Sequence, residues 1–188
     1  LDMPLLHFIR ENPVYADARF LVHYSHQWDW REVRMLLKDT TSMALRLDLE
    51  IDHDINLCND TRTLRLLHDR LVRRLNQISI DDLPLITFPE PPLKGNDDII
   101  PLKNNKQLHY EGASQRHCVA TYEVGVLRGD YYVYRVMAPE RATLGVRINE
   151  AGSVRIDQLK KSHNHKPTQD TTDAVTKWMN SSTKDEDV

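Results

Sequence analysis

Tyr131-Tyr132-Val133-Tyr134-Arg135-Val136-Met137, then Thr143-Leu144-Gly145-Val146-Arg147-Ile148, then Val154-Arg155-Ile156-Asp157-Gln158 are the three runs that decide the fold. The first is rich in aromatic and β-branched residues and stops short of Pro139, which reads as a strand. In the second, Leu144, Val146 and Ile148 alternate with Thr143, Gly145 and Arg147; in the third, Val154 and Ile156 alternate with Arg155 and Asp157. Such alternation marks strands, because successive side chains leave opposite faces of the pleat. Asn149 to Ser153 supplies a turn, so the runs are expected to form a three-stranded antiparallel meander. Continuing the alternation puts Gln158 on the inward side with Val154 and Ile156. A primary amide there must find partners, since an unpaired buried amide costs about 1–3 kcal/mol.

The flanks of the meander read as helices. Ser114 to Leu127 is expected to be one helix ended by a Gly129-Asp130 turn, and Thr168 to Met179 another, with Val175, Trp178 and Met179 as core contacts. Gln107 to Tyr110 reads as a short strand. Upstream, residues 28–49 place Val33, Leu36, Leu37, Ala44, Leu45 and Leu47 at near-helical spacing, with Asp29 near the start. Residues 60–78 do so more clearly, with Leu64, Leu67, Leu71, Leu75 and Ile78 in one stripe and Asp60 or Thr61 as cap. Trp28, Trp30 and the leucines read as core. Between Ser79 and Asn105, Pro84, Pro89, Pro91, Pro92 and Pro101 remove backbone donors and impose a linking segment, whose apolar bits such as Leu85-Ile86-Thr87-Phe88 can dock on the core. The fold class is therefore α+β, organised as a helical region 1–78, a linking segment 79–105, an α+β domain 106–180 and an acidic tail 181–188.

Composition bounds the function. With 188 residues, 40% hydrophobic and 28% charged, the chain is an ordinary water-facing protein, and no apolar run approaches the roughly 20 residues that cross a bilayer. No membrane partner is expected. Cys58 and Cys118 stand far apart, which excludes a disulfide framework or a CxxC metal pair and fits a reducing, cytoplasmic setting. The net charge of -3 argues against wholesale wrapping of nucleic acid. Yet five arginines face two aspartates between Asp60 and Gln77, and eight basic residues face four acids between Arg128 and Lys166, a surplus that either a local basic face or, more commonly, ordinary solvated helix and strand faces produce. The start, Leu1-Asp2-Met3-Pro4, lacks an initiator methionine and a basic-then-apolar leader, and reads as a piece of a larger polypeptide; that upstream region, or a separate protein, is an expected partner.

Chemistry concentrates in two clusters. Glu111-Gly112-Ala113-Ser114-Gln115-Arg116-His117-Cys118-Val119-Ala120-Thr121-Tyr122 packs an imidazole, a thiol, an amide and a phenol into one stretch, and Gln158, His163, Asn164 and His165 follow forty residues later. At these residues the chain resembles the PcfJ-like family, a domain found on conjugative plasmids, phages and related mobile elements. The resemblance rests on Glu111-Gly112, Gln115, His117-Cys118-Val119, Tyr122, Gly129, Thr143-Leu144, Gln158, Asn164 and Pro167. It covers roughly His109 to Trp178 and leaves out the helical part before it. The family usually has a glycine shortly after the Gln, where this chain has Lys160-Lys161-Ser162. The resemblance implies a mobile-element or conflict and defence context, in which enzymes acting on nucleic acid are common.

Several chemistries fit these residues. Metal-independent cleavage of RNA or DNA needs a proton acceptor, a proton donor and cationic stabilisation of a pentavalent phosphate. Here His117 would be general acid or base, Tyr122 and Gln158 would line the site, and Asn164 would position substrate. Lys160 or Lys161 would contact phosphate, with Gln115 and Arg135 also on the substrate side. Cys118 offers a thiol-dependent alternative with His163 or His165 as base, but a helix beginning near Ser114 places the thiol a full turn inside it. A zinc site from His117, Cys118, His163 and His165 is disfavoured, since helical neighbours diverge by about 100°. The expectation is no metal and no cofactor. The non-enzymatic alternative is a buried polar network of His117, Tyr122, Gln158 and Asn164 in a nucleic-acid or protein interaction module.

Overall fold

The computed structural model describes residues 3–16, 18–22, 30–149 and 152–182. It has the expected α+β character, with helices in the N-terminal part and one four-stranded antiparallel sheet in the C-terminal part. The chain divides into two units, Leu1–Leu75 and Asn76–Val188. Among the described residues no helix is long and apolar enough to cross a membrane.

The first unit is helical: α1 (Met3–Glu11), α2 (Arg19–Val22), α3 (Trp30–Arg46), α4 (Asp52–Asn56) and α5 (Thr61–Leu75), with a 3-10 turn at Pro13–Tyr15. α5 starts where Asp60 closes a reciprocal cap. Its Oδ1 accepts the Thr63 N–H at 2.7 Å while its own N–H donates to Thr63 Oγ1 at 3.1 Å. The stripe Leu64, Leu67, Leu71, Val72 and Leu75 is buried, and α5 packs on α3, which buries Val33, Leu37, Met43 and Ala44. Two expectations need correction. Leu45 is 84% exposed, because it falls on the solvent side of the α3 stripe, and α5 ends at Leu75, before Ile78. Trp28 and Asp29 lie outside the described residues, as does the tail beyond Ser182.

The second unit is built around the meander. Its elements are β1 (Ile99–Pro101), α6 (Asn105–Gln115), α7 (Glu123–Leu127), β2 (Tyr131–Val136), β3 (Ala142–Ile148), β4 (Val154–Lys160) and α8 (Gln169–Ser182). The sheet order is β1-β2-β3-β4, all antiparallel. The expected three strands are present, and a fourth, β1, comes from the proline-rich segment. Pro101 closes that short strand, a place where a missing donor is tolerated. Phe88 and Leu93 of the same segment are buried.

Both sheet faces are covered. One buries Tyr134, Val136, Leu144 and Val146 with Val175 and Trp178 of α8, and the Trp178 ring meets Tyr134 edge-on at 5.1 Å. The other buries Tyr131 and Val133 with Leu108 of α6, Val126 of α7 and Val119 from the segment between them. A bulge separates the two registers of the β3–β4 pair: Val146 faces Ile156, but Gly145 faces Gln158, leaving Asp157 as the extra residue. The bulge reverses the phase of the strand. Gln158 therefore does not share a face with Val154 and Ile156, as simple alternation predicts, but stands on the α6–α7 side.

Two further expectations are overturned. Gln107 to Tyr110 is helix, not strand: Asn104 caps α6 by accepting the Gln107 N–H at 2.9 Å, and Gln107 Oε1 accepts the Lys103 N–H at 2.8 Å. The buried side of α6 carries Asn105, Leu108, His109, Glu111, Gly112 and Gln115, so its stripe is mostly polar and invisible to a search for apolar period. Ser114 to Leu127 is not one helix. α6 stops at Gln115, a 3-10 turn spans Val119–Tyr122, and α7 follows.

Candidate functional site

The site begins at the break after α6. Arg116 takes a left-handed conformation, φ 53°, and the His117 N–H returns to the Gly112 carbonyl at 3.1 Å, which closes the helix end. A side chain at Gly112 would stand 3.3 Å from the His117 carbonyl oxygen, so the glycine permits this close return. His117 and Cys118 consequently sit in the break between helices, not a turn inside one. Cys118 precedes the 3-10 turn, and its carbonyl accepts both the N–H and the hydroxyl of Thr121 at 2.9 Å.

A chain of polar groups ties this break to the sheet. His117 Nε2 lies 2.9 Å from Thr143 Oγ1 on β3, and the Thr143 hydroxyl donates to Glu111 Oε1 on α6. The other carboxylate oxygen, Oε2, accepts from Arg135 Nε at 3.0 Å and from an Arg141 guanidinium nitrogen at 2.5 Å. The Glu111 side chain is wholly buried. Burial pushes its carboxyl up, but the bonds from Arg141 and Thr143, the Arg141 charge and the Arg135 bond outweigh that and hold it below the usual range. Burial pushes the His117 imidazole down to about 4 against the opposing pull of the Glu111 charge, so the ring is neutral near pH 7. Its Nδ1 has no hydrogen-bond partner among the described residues.

Beside this chain lies an aromatic platform. The Tyr122 and Tyr131 rings stack at 4.6 Å with 21° between planes, and the Arg147 guanidinium sits 5.3 Å over Tyr131. The Gln158 amide donates to the Tyr122 phenol oxygen at 2.5 Å. Tyr131 crosses the sheet at Gly145: a Cβ there would stand 1.9 Å from the Tyr131 hydroxyl oxygen. Gly145 is thus the gap through which one tyrosine reaches the other.

After β4 the chain makes a 3-10 turn at Ser162–Asn164 in which His163 and Asn164 both have φ near 60°. Two successive non-glycine residues in that region carry strain. The turn brings Asn164 to the break after α6.

His117, Cys118, Tyr122, Gln158, Lys160 and Asn164 line one cleft with Thr143 and Gly145, and its volume is about 20 Å³. That is room for about one water molecule. The remaining predicted residues lie elsewhere. Gln115 is buried and does not line the cleft, Arg135 is held by Glu111, and the Lys161 ammonium pairs with Glu140 at 3.2 Å. His163, named as a base for the thiol, is exposed and bonds Ser162 Oγ at 2.8 Å and an Arg116 guanidinium nitrogen at 3.4 Å. Its ring centre is 6.0 Å from that of His165, and neither ring lines the cleft with His117 and Cys118.

Sequence reasoning assigned no role to Glu111, Thr143, Arg141 or Gly145. The signal was present in part, since Glu111-Gly112 and Thr143-Leu144 belong to the residues that carry the resemblance. An acid on one element and a hydroxyl on another do not announce their pairing in a linear reading.

No curated protein and no solved structure matches the chain. The PcfJ-like protein family matches it over residues 36–176. The match extends well upstream of His109, into the helices that the resemblance had left out. Since it spans most of the sequence, the chain belongs to the PcfJ-like protein family.

Proposed function

We propose that the cleft is the active centre of a nucleic-acid-processing domain, a metal-independent nuclease-like effector of a mobile-element or conflict system. His117 is the proton acceptor. Tyr122 is the proton donor for the departing oxygen, and the Gln158 amide N–H stabilises the phenolate left behind. Lys160 contacts the phosphate and Asn164 positions the substrate. The observation that carries this reading is the neutral, buried imidazole of His117, lining a cleft with an unpartnered Nδ1. A base with a free lone pair at neutral pH is what proton abstraction requires. The test is incubation of purified protein with total RNA and with plasmid DNA, with and without chelator, beside His117→Ala. Cleavage by the wild type and not by the variant is expected; equal behaviour of the two proteins removes the assignment.

A second reading has an observation in its favour. His117 is 3% exposed and Glu111 completely buried, as in a polar network that pins a helix to a sheet within a noncatalytic nucleic-acid or protein interaction module. The two readings part on stability. Combining His117→Ala with Asn164→Ala leaves the thermal midpoint nearly unchanged if the cluster is catalytic and lowers it sharply if it is structural.

A further inference from the structure

We infer that Glu111 and Thr143 are positioning residues that hold His117 in its Nε2–H tautomer, and that the bare Nδ1 accepts a hydrogen bond from one water in the cleft, the nucleophile of a phosphodiester hydrolysis. The reaction rests on the nuclease reading above; the tautomer rests on geometry alone.

The tautomer follows from counting protons. Glu111 Oε2 accepts from both Arg135 and Arg141, so the carboxylate is ionised and acts only as an acceptor. Its Oε1 takes the single proton of the Thr143 hydroxyl. With that proton committed, the Thr143 oxygen can only accept, and among the described residues the group within reach is His117 Nε2 at 2.9 Å. A neutral imidazole has one N–H, so Nδ1 carries a lone pair. Two arginines at one end thereby dictate, through a carboxylate and a hydroxyl, which nitrogen is the base at the other.

Among the described residues that lone pair has no protein donor, and the cleft that His117 lines, about 20 Å³, has room for about one water. A buried water needs two to four polar partners. Gln158, Lys160 and Asn164 line that cleft together with His117. In the reaction, the water gives a proton to Nδ1 and its oxygen bonds to phosphorus. The P–O bond to the departing nucleoside breaks with its electron pair on that oxygen, which takes the Tyr122 phenolic proton; the imidazolium proton then returns to the phenolate through solvent. No 2′-hydroxyl takes part, so DNA and RNA are both substrates.

Long-range proton–nitrogen correlation spectra of isotope-labelled protein at neutral pH read the tautomer directly. The wild type is expected to show a protonated Nε2 and a bare Nδ1 for His117. Thr143→Val is expected to lose that pattern and Thr143→Ser to restore it, a change that a merely space-filling threonine would not produce. A protonated Nδ1 in the wild type, or a valine variant with an unaltered pattern, overturns the relay. Cleavage in oxygen-18 water tests the nucleophile: RNA and DNA of one sequence are both expected to be cut, with one labelled oxygen in each new phosphate end. A 2′,3′-cyclic phosphate on RNA with intact DNA overturns the water. If neither polymer is cut while the spectra are as expected, the nuclease reading and the water fall together and the relay stands.

Discussion

Gln158 stands opposite Gly145 across the β3–β4 pair, one residue out of phase with the Ile156–Val146 pair beside it. The bulge at Asp157 turns the Gln158 amide toward the Tyr122 phenol, and Gly145 leaves the space that the Tyr131 ring needs to stack beneath that phenol. A strand irregularity and an absent side chain together build one wall of the cleft.

Gly145→Ala tests that wall. A Cβ 1.9 Å from the Tyr131 hydroxyl cannot be accommodated without moving the ring. The substitution should destabilise the protein by about 1–3 kcal/mol, the usual range for overpacking. Chemical denaturation gives the magnitude, and tyrosine near-ultraviolet circular dichroism should report loss of the Tyr122–Tyr131 stack.

Glu111→Ala should be the most damaging single change in the polar chain. It leaves Arg135, Arg141 and the Thr143 hydroxyl without their shared acceptor. The arginines left behind are 27% and 30% exposed, so the cost should fall below the about 3–5 kcal/mol of a fully buried pair. A denaturation midpoint close to wild type would show that the carboxylate contributes little.

Stability should depend on pH through His117. Its folded pKa is depressed from 6.5 to about 4, so between those values the unfolded chain binds the extra proton. The contribution is complete above pH 6.5 and is lost as pH falls toward 4. At about 1.4 kcal/mol per pH unit it amounts to about 3 kcal/mol. His117→Asn should flatten the stability curve across that window. Glu111 acts in the same direction but lower, its contribution present above about pH 4.5 and lost as pH falls through its depressed value.

Lys160 and Lys161 are neighbours with different expected roles. Lys160 lines the cleft, whereas the Lys161 ammonium is engaged by Glu140 at 3.2 Å. Lys160→Ala should weaken nucleic-acid binding and lower the slope of log K against log salt by about 1, with Lys161→Ala near wild type. Titrations at several salt concentrations, read by fluorescence anisotropy, distinguish the two.

Much of the architecture was legible in the residues. Alternation in Leu144, Val146 and Ile148 and the leucine stripe of α5 are local periodicities, and local periodicity is what places a side chain on a face. The crowding of imidazole, thiol, phenol and amide between Glu111 and Tyr122 was also legible, because those residues are consecutive in the chain. The sequence by itself thus determined an α+β chain, a meander and a segment dense in polar side chains. Tertiary structure alone decided where α6 ends, on which face Gln158 stands and which partner each polar atom has. Those outcomes depend on contacts between residues 26 to 36 positions apart, such as His117 with Thr143, Glu111 with Thr143 and Tyr122 with Gln158. A polar buried stripe, a one-residue bulge and a left-handed Arg116 are stable only once those contacts exist, and no periodicity along the chain encodes them.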